Sequence, residues 1–215
     1  MRTLVVGDVH GCADELARLV ATAAADRVVL VGDLYTKGPD PVGVWRQIRA
    51  GGFEAVLGNH DARVLDAVGS REDKGARKVV DALAAADPAA IPWLRRRPLF
   101  LDVAGFTVVH AGLHPSGDLA RTERNQALNL RRWPNEAPTD PHWYDVYTGD
   151  RRVIFGHDAV TGVVRIERDD QPFIVGLDSG CVYGGALSGW IVEEDRLIQI
   201  PAARAYKPIK LRGAA

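Results

Sequence analysis

"TLVVGDVHGCADEL", residues 3–16, is the stretch whose reading decides the fold. A short apolar run, Thr3 to Val6, stops at Gly7 and gives way to Asp8 and His10. Residues 13–25 then place Leu16, Leu19 and Val20 on one helical face. A strand that ends in polar residues just before a helix is the opening unit of an α/β domain. In such domains ligands bind beyond the carboxyl ends of the strands. Asp8 and His10 are two residues apart, so an extended chain aims both side chains the same way. Alone, Gly-Asp-Val-His-Gly is also an acceptable polar turn. What matters is whether the pattern recurs.

It does recur along the chain. "RVVLV" (27–31) leads to Asp33, "FEAVL" (53–57) to Asn59 and His60, and "FTVV" to His110. "VIFG" leads to His157, and "FIVGL" to Asp178. Four of the six histidines stand at these strand ends. Taken singly, each has a plain reading: a helix cap, a turn, a core histidine. Taken in order, the residues form one constellation. Imidazole and carboxylate together suit manganese, iron, zinc or cobalt, and a shared carboxylate can bridge two ions.

Between these motifs the first half alternates strand and helix, with "PVGVWRQIRA" (41–50) opening on Pro41 and ending at Gly51-Gly52. That alternation predicts parallel strands with right-handed crossovers. Helices are predicted near 61–68 and 74–86. From residue 99 the character changes to short strands: a hairpin about Ala104-Gly105, then runs near 151–157, 162–167, 172–180, 186–195 and 196–201. Residues 115–150 are polar, with prolines and tryptophans, and read as a cover over a site or an insertion. Trp133 and Trp143 there could stack a nucleobase or pack the loop.

The 215 residues are 47% hydrophobic and 26% charged, with a net charge of −1. One domain over 1–205 and a tail over 206–215 are expected. The charge gives no footprint for nucleic acid. Two cysteines, Cys12 and Cys181, are too few for a disulfide scaffold. The opening apolar run is too short for a signal peptide or a span. No membrane partner is expected, and a reduced, cytoplasmic setting is.

"GDVHG", "GDLYTKG", "LGNHD", and then the histidines of "HAGLHP" and "FGH", resemble the motif series of the calcineurin-like metallophosphoesterases, in their phosphoprotein-phosphatase branch. "LDSGCVYGGALSGW" is similar to the bacterial diadenosine tetraphosphatase (ApaH-like) group. The resemblance implies a mixed α/β fold, a central β-sandwich flanked by helices. It implies two divalent metal ions, with manganese expected first, and hydrolysis of phosphoester or phosphoanhydride bonds by metal-activated hydroxide. Asp8, His10 and Asp33 would hold one ion, and Asp33, Asn59, His110 and His157 the other. His60 would be the proton donor. Asp178 would orient a metal-bound histidine or water. A nucleotide-type substrate such as diadenosine tetraphosphate is expected. A Ser/Thr or Tyr protein phosphatase is the alternative, and a non-catalytic metal-binding scaffold the remaining one.

Two departures bear on substrate. Thr36 stands where the family has the carboxylate that orients its catalytic histidine, and Lys37 where it has a phosphate-gripping arginine. Lysine offers a point charge in place of a bidentate fork. A second phosphate-binding arginine is expected between the late histidines, with Arg131 or Arg132 favoured over Arg121 and Arg124. Oligomeric state and native metal are not written in the sequence.

Overall fold

In the computed structural model, which describes residues 1–70 and 72–208, the first-half alternation forms as a parallel sheet. β1 (Thr3–Val6), β2 (Arg27–Leu30) and β3 (Glu54–Ala55) pair in parallel, joined by α1 (Ala13–Ala23) and α2 (Pro41–Gly51). Pro41 opens α2 behind an Asp40 cap, whose carboxylate accepts from the Gly43 N–H at 2.7 Å. β3 is shorter than the apolar run 53–57 predicts. Val56 N still donates to Leu30 O, but Leu57 N turns away to Pro98 O at 2.8 Å. α3 (Asn59–Asp66), α4 (Lys74–Ala86) and α5 (Ala90–Arg95) follow.

β4 (Phe100–Val103) and β5 (Phe106–Val109) form the predicted hairpin. After α6 (Arg124–Asn129), β6 (Arg152–Phe155), β7 (Val164–Arg168) and β8 (Gln171–Gly176) complete a second, mixed sheet of order β4-β5-β6-β8-β7. β9 (Ala186–Ile191) and β10 (Arg196–Pro201) return to the first sheet, which then reads β10-β9-β1-β2-β3.

Strand periodicity decides how the sheets stack, because successive side chains point to opposite faces. Val5, Val29 and Val31 of the first sheet pack against Phe106, Val108, Ile154 and Val175 of the second. Their neighbours Leu4, Val6, Val28 and Leu30 face outward into the helices α1 to α5. Val109, Val153, Phe155 and Ile174 face the other way, under the segment containing α6. The layers are therefore helix, sheet, sheet, helix, the sandwich that the resemblance implies. Trp143 is fully buried in the last layer and Trp133 is packed beside it, so both tryptophans pack the segment 115–150 onto the sheet.

Tyr206 and Lys207 still donate backbone N–H bonds to Val182 O. Residues 209–215, the rest of the expected tail, lie outside the described residues. Among the described residues no helix is long and apolar enough to cross a membrane.

Candidate metal centre

The strands β1, β2 and β3 end at one rim of the sandwich, and so do the parallel strands β5, β6 and β8. The two rims are stitched together. Asp8 Oδ1 accepts the His157 N–H at 3.0 Å, and His110 Nδ1 donates to Val31 O at 2.9 Å. Between them lies a cavity of about 560 Å³ lined by Asp8, His10, Asp33, Lys37, Asn59, His60, Arg131, His157 and Asp178. His110 lies behind Asn59 and Asp33, fully buried.

Local backbone geometry puts these side chains there. His10 (φ 47°), Asp33 (φ 54°), Lys37 (φ 69°) and His157 (φ 72°) all occupy the left-handed region, which costs a non-glycine residue about 1–2 kcal/mol. Mutual backbone bonds hold the strained loops: His10 N to Asp33 O at 2.7 Å and Gly11 N to Leu34 O at 2.8 Å. Asp61, fully buried, caps α3 at Gly58 N and also accepts from Leu34 N at 2.9 Å, tying the second and third loops. Gly58 and Gly156 are required by close approach. A methyl at Gly58 would overlap Asp33, and one at Gly156 would overlap the Asp8 carboxylate.

Asp33 is the hub. Its Oδ2 is 3.5 Å from His10 Nε2, and its Oδ1 is 3.4 Å from His110 Nε2 and accepts the His60 N–H at 2.8 Å. His110 gives its Nδ1 proton to Val31, so Nε2 presents a lone pair. Opposite it, at 3.1 Å, is Asn59 Oδ1. The amide orientation of Asn59 is set by a relay, in which Asn59 Nδ2 donates to Asn129 Oδ1 and Asn129 Nδ2 donates to Asn125 Oδ1. Three acceptors, from Asp33, Asn59 and His110, thus converge with no donor among them. That donor set fits a cation. His157 donates Nε2–H to Asn129 O at 3.1 Å, which leaves Nδ1 as its free donor atom.

The electrostatics agree. Burial, reinforced by Asp178 and Asp33, pushes the Asp8 carboxyl well above its usual range. Burial also lifts Asp33 to about 6 and Asp178 to about 7. Burial lowers the imidazoles: His110 to about 4, His60 to about 3, and His10 and His157 well below their ordinary value. Mutually repelling carboxylates and neutral imidazoles are the ligand forms a divalent cation takes.

Not every expected placement is found. Arg131 faces the cavity, held by His157 O at 2.9 Å and by Asp158 at 3.7 Å. Arg132 turns away to the Asp140 carbonyl, so of the two only Arg131 can reach a bound phosphate. Asp178 lines the cavity, but its Oδ1 accepts from Gly180 N, not from a histidine. Thr36 Oγ1 lies 3.4 Å from His10 Nδ1, not beside His60. Asn129, Asp158 and Tyr183 also line the site and carry no strand-end signal. A neighbouring pocket of about 420 Å³ shares Asn59 and Asn129 and brings Arg63 and Arg124 beside the first.

The sequence model of the calcineurin-like phosphoesterase family matches residues 1–171. The chain is a calcineurin-like phosphoesterase. A symmetrical bis(5'-nucleosyl)-tetraphosphatase of Bordetella pertussis is 32% identical to it over 94% of this chain and 96% of its own length. A crystal structure of a protein assigned as a diadenosine tetraphosphatase superposes with a TM-score of 0.80 at 31% identity, covering 94% of this phosphoesterase and 93% of that chain. The metallophosphoesterase of Sphaerobacter thermophilus, at 16% identity and TM-score 0.62, shares the fold. This phosphoesterase is therefore a hydrolase of a family that works with divalent metal ions. The alignment with the Bordetella protein runs over 272 positions but uses 94% of 215 residues. Roughly seventy positions of that relative therefore face no residue here.

Proposed function

We propose that this phosphoesterase uses two divalent cations, manganese first, to hydrolyse nucleotide-type phosphoanhydrides such as diadenosine tetraphosphate. One observation carries the two-cation reading: Asp33 sits between His10 and His110, within 3.5 Å of the Nε2 of each. Asp8, His10 and Asp33 would hold one ion, and Asp33, Asn59, His110 and His157 the other. Such a pair, when bound, supplies Lewis acidity toward phosphoryl oxygens and lowers the pKa of water.

The chain's own groups do the rest. Lys37 Nζ and the Arg131 guanidinium bind the phosphoryl oxygens and stabilise charge as it develops. Asp158 and the His157 carbonyl keep Arg131 aimed at the cavity. His60 protonates the leaving oxygen. Burial, then Lys37 and Arg63, hold it neutral near pKa 3, and the negative charge of a bound phosphate offsets those two cations. The adjoining pocket with Arg63 and Arg124 supports a substrate longer than one phosphate.

A protein phosphatase reading uses the same residues, and the shorter chain favours it, since fewer residues are available to enclose a second nucleoside. The test is parallel turnover of diadenosine tetraphosphate, a phosphopeptide and nitrophenyl phosphate with manganese. The proposal requires diadenosine tetraphosphate to have the highest kcat/KM. A phosphopeptide preferred tenfold or more moves the assignment to protein phosphatase. In parallel, Asp33→Asn must lose both bound ions and turnover together. Retention of two ions at full activity would sink the bridging role.

A further inference from the structure

Outside the cavity, one cluster of donors is buried and incompletely satisfied. Cys12 caps the N-terminus of α1, Glu15 lies in its first turn, and Cys181 opens the short 3-10 turn after β8. All three are buried, at 0%, 1% and 2% exposure. Their Sγ, carboxylate and Sγ atoms lie within 4.8 Å of one another. Glu15 Oε1 accepts from Ala203 N at 3.0 Å and from the Tyr206 hydroxyl at 2.8 Å. Glu15 Oε2 is buried and has no hydrogen-bond partner.

We propose that Cys12, Glu15 and Cys181 form a third cation site, separate from the catalytic cavity, for a thiophilic divalent ion such as zinc. Two sulfurs and one carboxylate oxygen are donor atoms zinc takes, and they fill three of its four tetrahedral positions, leaving the fourth for water. In a tetrahedral site, Zn–S bonds of about 2.3 Å and Zn–O bonds of about 2.0–2.2 Å put the donor atoms about 3.5–3.8 Å apart. The cluster's donor atoms, all within 4.8 Å of one another, are compatible with that spacing. An ion there gives the orphaned Glu15 oxygen its partner. Binding exchanges the two thiol protons for the ion, so the products are the zinc site and two protons released to solvent. Hard-ligand selectivity separates the two places: the cavity offers only oxygen and imidazole nitrogen, and the cluster offers sulfur.

The site has a structural effect. Cys12 follows His10 by two residues, and Cys181 follows Asp178 by three. Glu15 is bonded to the chain's C-terminal segment at Ala203 and Tyr206. One ion would pin the first metal loop, the last one and that segment beneath the cavity.

The chain has only two cysteines, and both are in the cluster. A thiolate-to-cobalt charge-transfer band on the cobalt-loaded full chain therefore reports this site alone, whatever the enzyme's substrate or activity. The wild type should show the band, Cys181→Ser should lose it along with about one ion per chain, and Asp33→Asn should keep it. Absence of the band in the wild type overturns the proposal without reliance on any variant. A band that survives Cys181→Ser shows cobalt held without Cys181, and one that disappears in Asp33→Asn shows it dependent on the catalytic cavity; either overturns the proposal.

Discussion

Lys37 occupies contested ground. Its Nζ lies 2.9 Å from His10 Nε2, the nitrogen assigned to a metal, and it lowers the pKa of that imidazole after burial does. Ammonium and divalent cation compete for the same lone pair. Lys37→Met should therefore tighten manganese binding in a calorimetric titration while raising KM about tenfold, a loss of about 1.4 kcal/mol of phosphate binding. Arg131→Ala should cut kcat/KM by roughly ten- to a hundredfold, as expected for a lost charged hydrogen bond. Arg132→Ala should stay close to wild type, because its guanidinium serves the Asp140 carbonyl. His60→Asn should cost about a hundredfold on a substrate with a poor leaving group and far less on nitrophenyl phosphate. The strand-end residues that line the cavity were legible because each follows an apolar run. Arg131 and Arg132 were not separable, since the direction each takes is set by the turn after α6. There, both backbone N–H groups bond to Glu136 and the Arg131 carbonyl accepts from Trp143 N.

Loops rather than strands carry the precision of the site. Gly58 and Gly156 each precede a histidine whose backbone N–H seats a carboxylate: His60 for Asp33, His157 for Asp8. Either glycine changed to alanine drives a methyl into that carboxylate. The expected outcome is a stability loss of about 1–3 kcal/mol in chemical denaturation, as for overpacking, with weaker metal binding in the same variant. The strands and helices of the first half could be read from their period and caps, to within a residue or two. β3 could not be bounded, because Leu57, at the end of its apolar run, bonds to Pro98 rather than to β2. The segment 115–150 was opaque for a related reason. Its contributions, Asn129 and Arg131, acquire meaning only through Asn59 and His157, far away in the chain.

At the scale of the whole molecule, the continuous apolar strands pointed to sheets covered on both faces and the resemblance supplied the sandwich, whereas which sheet β9 and β10 would join was not readable. Their apolar runs fit either sheet, and antiparallel pairing to β1 decides it. The joint titration of the site has its own consequence. Asp33 near 6 and Asp178 near 7 hold protons in the fold that the unfolded chain has released, so ionising them as pH rises from about 4 to about 7 costs stability. A cation offsets that repulsion and must displace those protons to bind. The rise in Tm produced by manganese should thus be larger at about pH 8 than at about pH 5, measured by thermal scans with and without metal. An equal increment at both would contradict the assigned carboxylates. Finally, the proposed ligands come from both halves of the sandwich: Asp33 ends a strand of one sheet, and His110 ends a strand of the other. An ion shared by them would be a reversible cross-link, a rivet through the interior seam. On the proposed ligand set, metal supply would set the mechanical cohesion of the protein as well as its turnover, so a starved cell would hold an enzyme that is both idle and easier for proteases to open.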